Sequence, residues 1–199
     1  VQRVDAASFE VAGGGGGEGD AGAGGDDAAP RETFLLMASL GVDAEVVHDL
    51  AARRTGAITH LSYALPIVRQ ALAWRAPTVD VLIDGEALVR GARGTVIVAS
   101  CRQYGGRLDP IRDASMTDGR LDVVVLPGRT AVGMSVRALQ CRLRLAGRSR
   151  RLPRGRGRAI EVRCSPASRV QVDGDPAVAV GRTMERLTCR ARPGALPVL

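Results

Sequence analysis

Apolar residues recur at every second position between Thr78 and Ser100. In TVDVLIDG, Val79, Val81 and Ile83 share one face and Asp84-Gly85 offers a tight turn, while Ala87-Leu88-Val89 and Thr95 to Ala99 supply the next strands. The same period, or a short all-apolar run, returns at Val1 to Val11, Phe34 to Ala38, Leu121 to Leu126, Ala159 to Cys164, Arg169 to Asp173 and Glu185 to Ala191. The first of these reads as an edge strand and the second as one buried strand. Most gaps between strands are too short for a crossover helix, which disfavours a doubly wound parallel fold. The expected class is mainly β with a few helices (α+β), built as an antiparallel, sandwich-like sheet system.

Three stretches switch to a spacing of three or four. Asp43 can cap a helix from about Ala44 to Arg54, with Val46, Val47, Leu50 and Ala51 on one face. His60 to Trp74 carries Leu61, Leu65, Val68 and Leu72 at helical spacing, although Pro66 implies a kink or a late start. Thr130 can cap a third helix with Val132, Val136, Leu139 and Leu143 along its stripe. Gly13 to Pro30, by contrast, is glycine, alanine and acid with nothing to bury. Its Glu18, Asp20, Asp26 and Asp27 would repel a phosphate, so it reads as a disordered loop and not as a phosphate cradle. These shifts divide the chain into a strand at 1–12, a loop at 13–30 and one β-rich domain at 31–199.

A chain of 199 residues with 45% apolar content can bury one good core. No apolar run reaches the roughly 18 residues that cross a bilayer, and the N-terminus lacks the basic-then-apolar order of a signal peptide, so a cytoplasmic protein is expected. The net charge of +7 comes from arginine alone, because the sequence contains no lysine. That removes Schiff-base chemistry and the phosphate-binding lysine of a Walker loop. Eight arginines with no acid among them fall between Arg142 and Arg158, and Gly147 to Arg158 reads as an arginine-rich loop. With 3% aromatic residues and no stacking pattern, nucleic-acid binding would rest on charge alone. An anionic membrane surface suits the patch better. Cys101, Cys141, Cys164 and Cys189 are far apart, and His48 and His60 have no partner for a ligand pair.

Candidate chemistry gathers at two aspartate-glycine turns. Asp118-Gly119 leads into the strand Leu121 to Leu126, and an aspartate at such a turn points its carboxylate and nearby carbonyls one way, as a hard cation such as Mg2+ requires. VQVDGDP, Val170 to Pro176, ends on Asp173-Gly174-Asp175. On an extended backbone those two carboxylates share a side, where mutual repulsion can tune one of them for work as a base. Each pair by itself is also ordinary hairpin chemistry.

The order ASLGVDAEVV (Ala38 to Val47), VIVASCRQYGG (Val96 to Gly106), DASMTDGRLDVVVL (Asp113 to Leu126), VQVDGDP and ALPVL (Ala195 to Leu199) resembles the second domain of the bacterial diacylglycerol kinase and lipid kinase family, relatives of sphingosine kinases. The resemblance implies phosphoryl transfer from ATP to a lipid hydroxyl in a cleft between two domains. ATP and Mg2+ would be held by a nucleotide-binding domain absent from this chain; Gly24-Gly25-Asp26-Asp27 only superficially echoes that domain's Gly-Gly-Asp-Gly-Thr motif. By motif position Asp175 is the proton acceptor, with Asp173 as its partner or replacement. The family usually has glutamate where Asp175 stands, which leaves the choice between the two open. A structural Mg2+ is also implied, on the Asp118 carboxylate and main-chain oxygens near Ser115 and Arg120. The implied partners are a lipid substrate, an anionic membrane surface with peripheral attachment, the missing domain in cis or trans, and a second copy of the chain. A non-catalytic lipid- or membrane-binding module is the alternative reading, and a basic nucleic-acid-binding protein the third.

Overall fold

Two antiparallel layers share one long strand. β5 (Glu86–Ala99) pairs through its first half with β4 (Thr78–Ile83) and through its second half with β3 (Met37–Leu40) and β6 (Leu121–Pro127), passing from one layer into the other. The computed structural model describes residues 2–13, 32–52, 74–102, 111, 113–130, 133–134, 140, 143 and 152–198. The first layer continues from β4 through β8 (Ala159–Ser168), β11 (Met184–Val198) and β1 (Gln2–Ala12) to the short β2 (Glu32–Phe34). The second runs from β3 to β9 (Val170–Val172) and β10 (Asp175–Pro176) on one side, and from β6 to β7 (Arg154–Gly157) on the other. Every one of these pairings is antiparallel.

The period of two explains where the core sits. Val79 and Val81 of β4, Val96 and Val98 of β5, Leu121, Val123 and Val125 of β6, Ile160 and Val162 of β8, and Leu187 and Cys189 of β11 all face the space between the layers and are buried there. The alternate residues of the second layer, among them Met37, Ile97, Val124 and Leu126, pack outward against Trp74, Ile111, Met134 and Leu152. Strands buried on both faces read as continuous apolar runs, which is why VIVA and LDVVVL show little alternation.

The helix α1 (Val42–Ala52) lies against β3, β9 and β10. Its fully buried side chains are Ala44 and His48 and not the expected face of Val46, Val47, Leu50 and Ala51. His48 is more than an ordinary helix residue: its Nδ1 accepts the Gly181 N–H at 3.1 Å, so Nε2 carries the proton and donates to the Val170 carbonyl at 2.9 Å. Thr130 does act as a cap, with its hydroxyl accepting the Gly133 N–H at 3.4 Å. The expected helix at 60–74 (Trp74 apart), most of the one after Thr130, and the glycine-rich segment after Gly13 lie outside the described residues.

Several boundaries differ from the sequence reading. β1 is not the edge strand, since β2 covers it over Ala7 to Phe9. The expected strand Phe34 to Ala38 is two strands broken by a bend that exposes Leu35 and Leu36. The strands expected at 87–89 and 95–99 are one, because Gly91, at φ +66°, lets a bulge opposite Asp80 keep the ladder going. Residues 154–157 of the arginine-rich stretch are strand, not loop. Its glycines make that possible, since a Cβ on Gly155 or Gly157 would stand 2.4 or 2.3 Å from the Ile83 side chain that crosses them.

Candidate functional site

Every candidate residue lies at one end of the second layer. Asp122 pairs with Ala99, Ala99 with Met37, and Ala38 with Val172, which leads directly into Asp173-Gly174-Asp175. At about 4.8 Å per strand, Asp122 and the Asp173 turn are separated by about 14 Å along this rim.

The Asp173 turn is a two-residue hairpin between β9 and β10, with φ of +50° at Asp173 and +96° at Gly174. Turning the chain there separates the tasks of the two aspartates, which do not form the extended same-side pair expected from the sequence. Asp173 is spent on the bend before β3: its carboxylate accepts the N–H groups of Leu35, Leu36 and Met37 at 2.7, 2.9 and 2.8 Å. Its own N–H donates to the Met37 carbonyl at 2.9 Å. From the other side Ser100 donates its N–H to the Leu36 carbonyl and its hydroxyl to that of Leu35. Beneath the turn a buried polar chain runs back to α1. Gly174 N–H donates to Gln171 Oε1 at 2.9 Å, Gln171 Nε2 donates to Ser39 Oγ at 2.6 Å, and Ser39 donates to Asp43. Asp175 is exposed, and no described residue bonds its carboxylate.

The loop from Ser115 to Arg120 is held differently. Asp5, buried on β1, accepts the N–H groups of Gly119 at 2.6 Å and Gly194 at 2.8 Å and donates its own N–H to the Met116 carbonyl. The Asp118 carboxylate accepts the Arg120 N–H at 3.1 Å through Oδ1 and meets Arg156 Nη1 at 3.2 Å through Oδ2. Ser115 closes a small turn on Thr117. Arg156 also donates through Nε to Asp122 Oδ1 at 2.9 Å and through Nη2 to the Asp113 carbonyl. Asp122 lies opposite Arg156 across β6 and β7, and burial pushes its carboxyl above the usual range while Arg156 pulls it back. Its Oδ2 is buried and bonded by no described residue, beside a cleft of about 290 Å³ lined by Ile111, Asp113, Val124, Arg154 and Arg156.

These residues do not fit the Mg2+ expected on Asp118. Both carboxylate oxygens already have donors, one of them a cation, and a dication about 4 Å from a guanidinium would meet repulsion on the order of 8 kcal/mol at an effective dielectric of about 20. Among the described residues no three His, Cys, Asp or Glu side chains converge as metal ligands.

A sequence profile described as the YegS C-terminal NAD kinase beta sandwich-like domain matches residues 37–199. The chain belongs to this family. The two-layer architecture agrees with the family's description as a sandwich-like domain. A structure of a candidate diacylglycerol kinase from Bacillus anthracis str. Sterne superposes with a TM-score of 0.61 at 17% identity, covering 97% of this chain and 54% of that one. Another diacylglycerol kinase structure from the same organism gives 0.54 at 12% identity over 97% and 52%. The chain thus spans about half the length of the solved structures it resembles. A search of curated proteins finds no match. No described helix is long and apolar enough to cross a membrane.

Sequence reading found the two family turns but missed Asp5, Ser39, Gln171 and Arg156. Arg156 had a signal in its R-G-R-G alternation, which is a period of two hidden inside a basic run. The others act across 114 and 132 residues of chain or more, and nothing local marks them. Of the basic stretch, Arg156 is committed to ion pairs and residues 147–151 lie outside the described residues.

Proposed function

We propose that this chain is the substrate-binding, base-supplying half of an ATP-dependent lipid kinase of the diacylglycerol kinase type. The observation that carries the reading is the exposed Asp175 carboxylate, which no described residue bonds, directly after a turn that Asp173 and Gln171 brace from two sides. In the reaction a lipid hydroxyl gives its proton to Asp175 as its oxygen bonds the γ-phosphorus, and ADP leaves. ATP and Mg2+ belong to a nucleotide-binding domain joined in cis or in trans, and the arginine-rich stretch favours an anionic membrane surface where the lipid is met. Asp173 is then a positioning residue, and the choice between the two aspartates falls on Asp175.

The test is diacylglycerol phosphorylation by the two-domain enzyme. Asp175→Asn should lower turnover by on the order of 100-fold or more with lipid KM nearly unchanged. Near-normal turnover in that variant, with loss in Asp173→Asn, would move the base to Asp173. Activity surviving both substitutions would mean that neither aspartate is the base.

A further inference from the structure

We propose that the Arg156 guanidinium occupies the place of a divalent cation, so that this chain holds its 113–122 loop with a built-in charge and does not bind Mg2+ at Asp118. The three kinds of nitrogen on the side chain reach three points of that loop. Nη2 donates to the Asp113 carbonyl at its start, Nη1 meets Asp118 Oδ2 in its middle, and Nε meets Asp122 Oδ1 where the strand begins. A metal ion stabilises such a loop by drawing its oxygens around one positive centre. A planar guanidinium with donors on three sides does the same without dehydrating an ion, and it cannot be lost to a chelator.

Its delivery depends on β7. Arg156 lies directly opposite Asp122 in the ladder, so the charge is fixed by sheet register and not by a flexible surface arm. Gly155 and Gly157 on either side let that strand run beneath Ile83. Asp5 ties Gly119 of the same loop to β11 through Gly194, giving the loop a second, metal-free anchor. The inference concerns how the loop is held and stands whether or not the chain is half of a kinase.

Thermal unfolding of the chain gives the test. The unaltered chain should show the same Tm, within about 1 °C, in EDTA and in millimolar Mg2+. Arg156→Gln leaves Asp118 and Asp122 facing each other uncompensated, so its Tm should fall by on the order of 5 °C and be raised selectively by Mg2+ over NaCl of equal ionic strength. A rise of several degrees with Mg2+ in the unaltered chain would overturn the proposal, as would an Arg156→Gln variant indifferent to Mg2+. Should that variant fail to fold, Mn2+ added to the unaltered chain decides. Paramagnetic broadening of the Ser115 to Arg120 amide signals overturns the proposal, and their persistence supports it.

Discussion

Asp84 and Asp173 adopt the same pose. Each stands at φ +50° ahead of a glycine in a two-residue hairpin, and each turns its carboxylate onto the backbone N–H groups of a neighbouring segment. Asp84 holds Arg158 and Ala159 at the start of β8, and Asp173 holds Leu35 to Met37. The fold therefore uses the Asp-Gly turn twice as a clamp between strands distant in sequence. Each turn is followed by an exposed carboxylate that no described residue bonds, Glu86 after the first and Asp175 after the second.

The clamp should be measurable as stability. Asp173→Ala removes charge-assisted acceptors from three amides and puts a residue that tolerates the left-handed region less well than aspartate at φ +50°, which should cost about 3 kcal/mol in urea unfolding. Asp173→Asn keeps an acceptor and tolerates that backbone, so its cost should stay near 1 kcal/mol. Equal losses in the two variants would mean that the carboxylate oxygens are not what holds the bend.

His48 should make stability depend on pH. Burial, the largest cause, lowers its affinity for a proton in the folded state, and Arg169 adds to the effect while the bond to Val170 opposes it. The unfolded chain then binds the proton more readily, so the contribution is complete above pH 6.5 and is lost as pH falls from there toward the depressed folded value. Glu45, beside it and paired with Arg169, is shifted upward by burial, so the comparison must be made against a variant. Between pH 7.5 and 5.5 the unaltered chain should lose more stability than His48→Gln. Parallel curves would show that the ring binds a proton equally well in the folded and the unfolded chain.

The polar chain under the turn should transmit change from α1. Ser39→Ala leaves Gln171 Nε2 without its acceptor, and the Gly174 amide should exchange with deuterium several-fold faster even though Gly174 itself is untouched. Gln171→Ala should have the same effect on that amide, and the double variant little more than either alone. Additive effects would show that the two bonds act separately.

The crossing of Ile83 over β7 should be sensitive to one methyl group. Gly155→Ala drives a Cβ to within 2.4 Å of Ile83 Cδ1 and should destabilise by about 1–3 kcal/mol. Combining it with Ile83→Val should recover part of that loss, a coupling that a double-mutant cycle detects. A simple sum of the two losses would place the damage elsewhere.

The antiparallel sandwich was legible because strand residues such as Val79, Val81, Val123 and Val162 carry their own period, set by burial of one or both faces. What was not legible shares one property: it depends on which strands meet. RGRG holds no apolar residue, and only the position of Ile83 and the facing Asp122 makes it a strand. Leu35 and Leu36 look like core in isolation, and the bend that exposes them is dictated by an aspartate 137 residues away. Likewise the DGD motif announces a turn, whereas the division between an engaged Asp173 and an unbonded Asp175 follows from the strand that happens to run beside it.

The pairing of β1 with β11 places Gln2 opposite Val198. The two ends of the chain therefore emerge side by side, at a separation that a few residues could bridge. Polypeptide attached before β1 and after β11 would leave from the same corner, and the whole sandwich could be set into another fold as a cassette without stretching either junction. The same geometry permits circular permutation. Joining the ends by a short glycine-serine linker and reopening the chain at the exposed Asp84-Gly85 tip would preserve the ladder, while opening it at Asp173-Gly174 would cut the one turn that carries the candidate base.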